Sequence, residues 1–361
     1  MGYPATLAAV LSITGPSFKA AQVTNVIFSI GTMALVYAIV RSLDGARRTA
    51  IIAMTIFGFL PNQIVSCCVT MSEVAFTFFV TLGILLALQS IWDRTEYWGV
   101  LVGAVFGWAT LIRPPAIALP FILIPILAYN RRGWLPWGKG TVIRAAVVAA
   151  SLASVVGPWT YRNYKVFGTF VLVSTNGGEN LLIGNNPAST QHYTAPETFF
   201  PTGIDIWKLP ELQRDRICGS IAKAYIVSHP IQTVLRTPKK IWYMFRSDLG
   251  VTNWIWAAYG TTGTALYYVV QGVTEGWYLA VLAAALAWII KRVRDRTTRP
   301  NDSVFLQLTL AVSGYFILVT MVFFGDARYH QPLMPLLAIA SASLLAGQFV
   351  VPNETVGAAS R

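Results

Sequence analysis

The chain has 361 residues, of which 55% are hydrophobic and only 12% are charged. Soluble domains carry about 25% charged residues, so this composition excludes an ordinary soluble protein. The net charge of +12 would suggest nucleic-acid binding in a soluble chain, but here the basic residues mostly flank apolar runs, where they set membrane topology. The three cysteines match no disulfide framework and no metal-binding motif.

Apolar runs that approach the roughly 20 residues needed to cross a bilayer recur along nearly the whole chain. We predict an all-α polytopic membrane protein with about nine transmembrane helices and one small mixed α/β extracytoplasmic segment. The predicted spans are 21–42, 49–66, 69–91, 97–112, 114–129, 142–160, 268–290, 304–324 and 329–350. They form a bundle of six spans (1–160) and a bundle of three (268–350), separated by an extracytoplasmic domain (161–267) and followed by a cytoplasmic tail (351–361).

Basic residues occur in every second loop, which orients the spans. These loops are predicted to face the cytoplasm and contain Arg41, Arg47, Arg48, Arg94, Arg131, Arg132, Lys139, Arg144, Lys291, Arg292, Arg294, Arg296 and Arg299. Residues 1–20 then lie outside before any span. An exposed N-terminus without an export signal is unusual, so we predict that a first span is missing from this chain; the alternative is a protein whose N-terminus truly lies outside.

The 161–267 segment is long enough to have structure of its own. Its stretch 166–174 favours a short strand, and 211–227 has the apolar spacing of a helix, with Leu212, Ile217, Ile221, Ala224 and Tyr225 on one side. The stretch 231–246 mixes lysine and arginine with aromatic residues, which is typical of a helix at the membrane interface.

Charges at the outward ends of spans are costly to bury and are therefore candidates for function. Glu73 follows Ser72 at the outer start of the third span. It is a candidate general base, or a ligand of a divalent metal such as Mg²⁺ or Mn²⁺. The structural alternative is a carboxylate that stabilises the helix N-terminus through the macrodipole, and the sequence favours neither.

Two arginines lie at outward ends of spans, where the positive-inside rule does not explain them. Arg113 precedes a Pro-Pro pair between the fourth and fifth spans, and Arg162 follows Trp159 and Tyr161 at the end of the sixth. A guanidinium there can grip a lipid phosphate with two parallel hydrogen bonds. The alternative is an interfacial arginine that extends to the headgroups.

The run Asp326 to Pro332 brings an acid, a base and an imidazole to the outer start of the ninth span. Arg328 and His330 are candidate phosphate contacts, and His330 is also a candidate proton carrier. The alternative is an exposed Asp326–Arg328 pair of little energetic value.

Two amide-rich segments, 174–180 and 184–187, contain Asn176, Asn185 and Asn186. Tight turns are the simpler interpretation, and binding of sugar hydroxyls or phosphate is the functional one. Walker, HExxH, GxSxG and dinucleotide motifs do not occur in the sequence.

Several short motifs together resemble the GT-C superfamily of polyprenyl-phosphate-dependent glycosyltransferases, in particular bacterial protein mannosyltransferases and aminoarabinose transferases. The motifs are Gly2-Tyr3-Pro4, Ser72-Glu73, Arg113-Pro114, Pro158-Trp159-Thr160-Tyr161-Arg162-Asn163-Tyr164, Asn176-Gly177-Gly178, Gly184-Asn185-Asn186-Pro187, and Ala327-Arg328-Tyr329 with Pro332 and Pro335. Each motif is weak alone, and their order across nearly the whole chain carries the resemblance.

The resemblance implies a multi-pass protein of the bacterial inner membrane that transfers a sugar from a polyprenyl phosphate to a lipid, glycan or protein acceptor at the periplasmic face. Such an enzyme needs a base for the acceptor hydroxyl and cations for the departing phosphate. By position, Glu73 corresponds to the family's second acid, and Arg113, Arg162 and Arg328 to donor contacts. The acidic loop that supplies the family's principal carboxylate precedes Gly2, so a chain limited to these residues is expected to be nearly inactive.

Two other classes of protein remain open from the sequence. A lipid-linked saccharide flippase would place charges along a route through the bundle, whereas Glu73, Arg113, Arg162 and Arg328 are all predicted near one rim. A noncatalytic membrane-assembly protein would use the 161–267 segment to bind a partner. The sugar, the acceptor, the metal requirement and the oligomeric state cannot be read from the sequence.

Overall fold

The computed structural model describes residues 1–43, 45–92, 97–132, 138–200, 205–260, 262–295 and 300–346. Within these residues the regular structure is helical, and extended segments meet only in an isolated bridge between His192 and Gly325. The α-helices are α1 Gly2–Thr14, α2 Phe18–Ser42, α3 Arg47–Gly58, α4 Pro61–Cys67, α5 Glu73–Trp92, α6 Tyr97–Ile112, α7 Leu119–Arg132, α8 Lys139–Phe167, α9 Gly177–Gly184, α10 Glu211–Ser228, α11 Pro230–Leu235, α12 Thr237–Phe245, α13 Gly250–Ala258, α14 Ala265–Arg294, α15 Pro300–Val322 and α16 Met334–Leu345.

Five helices (α2, α5, α8, α14 and α15) are long and apolar enough to cross a membrane. The helices α3 and α4 form a sixth candidate if they are counted as one span bent by 59°. The bend falls where Leu60 precedes Pro61, because a residue before proline avoids the helical region; Leu60 has a ψ of 112°. The predicted all-α polytopic membrane fold is therefore confirmed.

Each of the nine predicted spans falls on a helix or on this bent pair, but three apolar helices, Gly2–Thr14, Tyr97–Ile112 and Pro114–Asn130, are shorter than a full span. The count of nine spans therefore stays a prediction. Arg94, Arg296, Arg299, the end of the ninth predicted span and the tail 351–361 lie outside the described residues.

The helices pack around one apolar core, in which α5 contacts α2 and α6, α6 contacts α8, and α3 and α14 contact α16. Alternating chain direction brings the start of α5 and the ends of α6, α8 and α15 to one side of the bundle, hereafter the outer end. At the opposite end, Arg292 and Asp302 form a buried ion pair of 3.2 Å between α14 and α15.

The predicted strand at 166–174 is wrong. Residues Val166 and Phe167 complete α8, Gly168 ends it in the left-handed conformation with φ of 64°, and the following loop folds back along the helix. Its carbonyl groups accept hydrogen bonds from α8 side chains: Asn163 donates to Val171 at 3.1 Å and Trp159 to Val173 at 2.9 Å. A strand needs a neighbouring strand, and here side chains satisfy these backbone groups instead.

The helix predicted at 211–227 is confirmed as α10, but its buried side differs from the prediction. Cys218, Gly219 and Ala222 are buried, whereas Ile221 is 40% exposed. Small residues face α9 because the two helices approach closely at Gly178, where a Cβ atom would overlap the Asp215 carbonyl. The predicted interfacial helix at 231–246 is divided into α11 and α12.

Candidate functional site

The first part of the site is an ion pair at the outer end. Glu73 begins α5, Arg113 directly follows α6, and their side chains are in contact. The Nε of Arg113 also donates to the Ser72 hydroxyl at 3.2 Å. The Glu73 side chain is only 3% exposed and that of Arg113 is 23% exposed, so the carboxylate is buried behind a guanidinium that water can reach.

The second part is the loop between α15 and α16. Arg328 forms two hydrogen bonds of 3.1 Å, from Nε and Nη2, to the two carboxylate oxygens of Asp326. The same carboxylate accepts the Arg328 backbone N–H at 2.9 Å, which fixes a short 3₁₀ turn at Ala327–Tyr329. Burial opposes the charge on Arg328, but pairing with Asp326 raises its pKa, so the guanidinium is permanently cationic.

These two parts lie together. The 3₁₀ turn Gln331–Leu333 packs against α5, and Glu73 acts electrostatically on both Arg328 and Tyr329. Burial raises the pKa of the Tyr329 phenol most, and the nearby carboxylates raise it further, whereas Arg113 and Arg328 lower it. We call this set, Glu73, Arg113, Asp326, Arg328 and Tyr329, the rim cluster.

His330 lies beneath the rim cluster and is fully buried. Its Nδ1 is 2.5 Å from the Met244 carbonyl oxygen, and its Nε2 is 3.0 Å from a carboxylate oxygen of Asp248. Both ring nitrogens are therefore occupied within the protein.

The three predicted amide residues have contacts that organise the 161–267 segment. Asn176 is exposed and accepts from Ser174 at 2.8 Å. Asn185 donates to the carbonyl of Val322 at the end of α15 at 2.9 Å, and Asn186 donates to Leu182 at 2.7 Å. The two latter amides are buried, and binding of sugar or phosphate by these three residues stays a prediction.

Arg162 is exposed, and its contacts lie within α8. Its guanidinium lies 4.8 Å from the centre of the Trp159 ring and donates to Asn163 at 3.3 Å. The described contacts of Arg162 do not include a residue of the rim cluster.

An apolar groove of about 470 Å³ lies between the outer half of α8 and the 3₁₀ turn that follows Arg113. Ile117 lines one side, and Leu152, Val156, Tyr161 and Phe170 are among the residues of the other. The groove is thus bordered by the 3₁₀ turn that follows Arg113 and by α8, the helix that contains Arg162. Sequence patterns gave no sign of it, because its lining is as apolar as every other surface of these helices.

Lys240 is a buried residue that the sequence analysis did not single out. It is fully buried in α12, and its Nζ donates to Asn185 at 3.1 Å and to the Met321 carbonyl at 3.0 Å. Burial, followed by repulsion from Arg236, lowers its pKa to about 8. Together, Lys240 and Asn185 satisfy carbonyl groups at the C-terminal end of α15, which otherwise lack helical partners.

The described residues do not fit a metal centre. They contain no group of three or more His, Cys, Asp or Glu side chains placed to hold an ion, and the carboxylate of Glu73 is paired with Arg113. The predicted role of Glu73 as a metal ligand is therefore left as a prediction, and no chemical step is assigned to a metal.

Residues 1–159 match the family model described as dolichyl-phosphate-mannose-protein mannosyltransferase. The apo crystal structure of the Archaeoglobus fulgidus oligosaccharyltransferase is similar to the chain with a TM-score of 0.52, at 13% identity over 96% of this chain and 42% of that one. The chain therefore shares the fold of this oligosaccharyltransferase, and its first 159 residues are similar to the mannosyltransferase family.

A second structure, the archaeal oligosaccharyltransferase AglB from Archaeoglobus fulgidus with an inhibitory peptide and a dolichol-phosphate, has a TM-score of 0.48 at 13% identity, over 91% of this chain and 39% of that one. The chain thus spans about two fifths of the length of these solved proteins. A comparison with curated proteins found no match. The predicted resemblance and the multi-pass membrane character are confirmed.

Proposed function

We propose that this protein is a membrane glycosyltransferase that moves a sugar from a polyprenyl-phosphate donor to an acceptor hydroxyl at the outer end of the bundle. The observation that carries the proposal is the rim cluster, in which two arginines from distant parts of the chain flank a buried carboxylate. The family match over residues 1–159 supports the same chemistry. By the positive-inside rule, the outer end faces away from the cytoplasm.

The rim arginines have the donors that a phosphate requires. Arg113 contacts Ser72 through Nε and Glu73 through Nη2. Arg328 contacts Asp326 through the same two nitrogens, Nε and Nη2. Each Nη1 group is then available to donate to a phosphate oxygen, since arginine carries five N–H groups. Both side chains are partly exposed, at 23% and 33%, so a ligand can reach them.

The apolar groove beside Arg113 suits the isoprenoid part of such a donor. Its volume of about 470 Å³ is typical of a small-molecule site. Because Ile117 lies four residues after Arg113, a lipid whose phosphate contacts Arg113 can place its chain in the groove. Arg162, which lies on α8 between the lining residues Tyr161 and Tyr164, is an alternative phosphate contact for a lipid bound there.

In the proposed reaction, the acceptor oxygen attacks the anomeric carbon, and the bond from that carbon to the phosphate oxygen breaks. The acceptor proton passes to a carboxylate, and the polyprenyl phosphate leaves with its charge stabilised by Arg113 and Arg328. We assign the carboxylate to Glu73, which also holds Arg113 in position through the ion pair. The variant Glu73→Gln separates these roles, because loss of a base lowers kcat and loss of positioning raises the KM for the donor.

The proposal is tested on the chain in lipid nanodiscs by measuring both the binding of a polyprenyl-phosphate sugar and the transfer of the labelled sugar. Loss of one charge-assisted hydrogen bond, worth about 1.5–3 kcal/mol, weakens binding roughly 10- to 150-fold. Arg113→Ala and Arg328→Ala are expected to show this loss. Arg294→Ala, an exposed arginine at the opposite end, is the control.

Binding is measured separately because it does not need a catalytic base. If the chain neither binds the donor nor transfers its sugar, the proposal is wrong. If it binds the donor but both rim variants bind as well as the parent chain, the site assignment is wrong.

The groove has a test of its own. Ala153→Trp, at an exposed position that lines the groove, fills it and is expected to weaken binding of a long-chain donor while sparing a donor with only two isoprene units. Val142→Trp, on the exposed part of the same helix near its other end, is the matched control. Equal weakening for both donors would place the lipid elsewhere.

A further inference from the structure

The hydrogen-bond partners of His330 define its charge. Its Nδ1 lies 2.5 Å from the backbone oxygen of Met244, and its Nε2 lies 3.0 Å from a carboxylate oxygen of Asp248. A carbonyl oxygen and an ionised carboxylate only accept hydrogen bonds. Both ring nitrogens must then donate, and an imidazole that donates from both nitrogens carries a positive charge.

The surroundings stabilise a charged pair at this place. Asp248 is 3% exposed and also accepts from the side chain of Asn62 at 2.7 Å. The flat faces of the His330 ring stack with Tyr278 at 4.8 Å and with Phe245 at 6.2 Å between ring centres. Water is thus excluded, and a buried ion pair with satisfied hydrogen bonds resists dissociation because separating the charges would leave each uncompensated.

The titratable groups around the ring come from three elements. Asp248 is contributed by the segment between α12 and α13, Tyr278 by α14, and Asp326 by the loop of His330 itself. Glu275 of α14 supports the pair from behind by accepting from the Ser247 hydroxyl at 3.0 Å and from the Asp248 backbone N–H at 3.2 Å. Burial disfavours the charged ring, but hydrogen bonding and attraction to Asp248 raise the pKa of His330 above its ordinary value.

We propose that His330 is a positioning residue, a buried imidazolium that fixes the Arg328 loop to Met244 and Asp248. It precedes the 3₁₀ turn that packs on α5 and follows Arg328 by two residues, so its two hydrogen bonds anchor the part of the chain that places Arg328 in the rim cluster. This role rests on the proposed function and differs from the direct phosphate contact of His330 that the sequence predicts.

The charge can be measured directly because the chain contains only three histidines. The protein is labelled with ¹⁵N-histidine, purified without a histidine tag, and studied by NMR in detergent micelles across the pH range. His330→Gln identifies the resonance of the buried ring, and His229→Gln, which removes an exposed histidine, is the matched control. We expect the buried ring to remain an imidazolium above the ordinary histidine pKa of about 6.5, where a histidine without such partners is mostly neutral.

Asp248→Asn keeps the shape and the acceptor but removes the negative charge. We expect it to move the titration of His330 to lower pH and to raise the KM for the polyprenyl-phosphate donor more than it lowers kcat, because Arg328 loses its placement. His229→Gln should change none of these quantities.

A His330 ring that is already neutral in the parent protein at that pH would overturn the inference, and so would a neutral ring whose proton is held by Asp248. An unchanged titration in Asp248→Asn would do so as well. These measurements do not depend on transfer. A protein with a charged His330 that fails to bind the donor would refute the proposed function alone.

Discussion

Removing Arg113 should lower the free energy of unfolding more than removing its partner Glu73. Arg113→Met leaves the Glu73 carboxylate, 3% exposed, as a buried charge without its partner. Breaking a buried pair in this way costs about 3–5 kcal/mol in the free energy of unfolding. Glu73→Gln leaves Arg113, which is 23% exposed and keeps its hydrogen bond to Ser72, so we expect a smaller loss of about 1–2 kcal/mol.

The double variant should recover much of the loss, because no charge then remains buried. We expect a coupling energy of about 2–3 kcal/mol from the double-mutant cycle, measured by reversible unfolding in mixed detergent micelles. The exposed Asp205–Lys208 pair, at 48% and 84% exposure, is the matched control. Its coupling should stay below about 1 kcal/mol.

Two results would refute this reasoning. The first is an equal loss of stability in Glu73→Gln and Arg113→Met, which would mean that burial does not distinguish the partners. The second is a coupling energy equal to that of the Asp205–Lys208 pair, which would mean that the rim pair is solvated.

Three further changes test other parts of the structure. Gly184→Ala should destabilise the protein by about 2–4 kcal/mol, because its Cβ would overlap the Phe323 carbonyl. The control Gly276→Ala, whose Cβ meets no atom within 4 Å, should be neutral or stabilising. Equal effects of the two variants would contradict the close packing at Gly184. Because the pKa of Lys240 is lowered from 10.5 to about 8, the unfolded chain binds more protons between these values. The contribution of Lys240 to stability should therefore rise with pH across that window, and Lys240→Met should abolish the rise in pH-dependent unfolding. Treatment with EDTA should leave donor binding by the rim arginines unchanged, and a loss that Mg²⁺ or Mn²⁺ restores would contradict this expectation and show that binding requires a metal.

Part of the site was visible in the sequence because it depends on local rules. Burying a charge at the outward end of an apolar span costs free energy, so such a residue is a candidate for function. This criterion alone selected Glu73, Arg113 and Arg328. Their placement as partners was not visible: Glu73 and Arg113 are separated by an entire helical hairpin. The same criterion selected His330, but its predicted phosphate contact stays a prediction without support from its buried contacts.

Lys240 and Asp248 were missed because their roles depend on contacts between distant parts of the chain and not on local sequence rules. Lys240 resembles any lysine of an amphipathic interfacial helix, and its burial follows only from the end of α15 lying against α12. Asp248 lies in a short connection with no motif, and its importance comes from Asn62 and His330, which are distant in sequence. The available sequence signal for Lys240 was a lysine with aromatic neighbours in a connecting segment. This signal does not distinguish a lysine that contacts lipid headgroups from one that is buried in the protein.

The sequence by itself determined that the chain forms apolar helices and where most of them begin and end. Backbone groups in lipid must be hydrogen-bonded within their own segment, so each apolar run forms a helix. The tertiary structure decided which helix ends are neighbours, and with them the rim cluster, the buried His330–Asp248 pair and the groove. Helices that are apolar on all sides show no preferred face in their sequence, so partner choice is set by packing between whole helices.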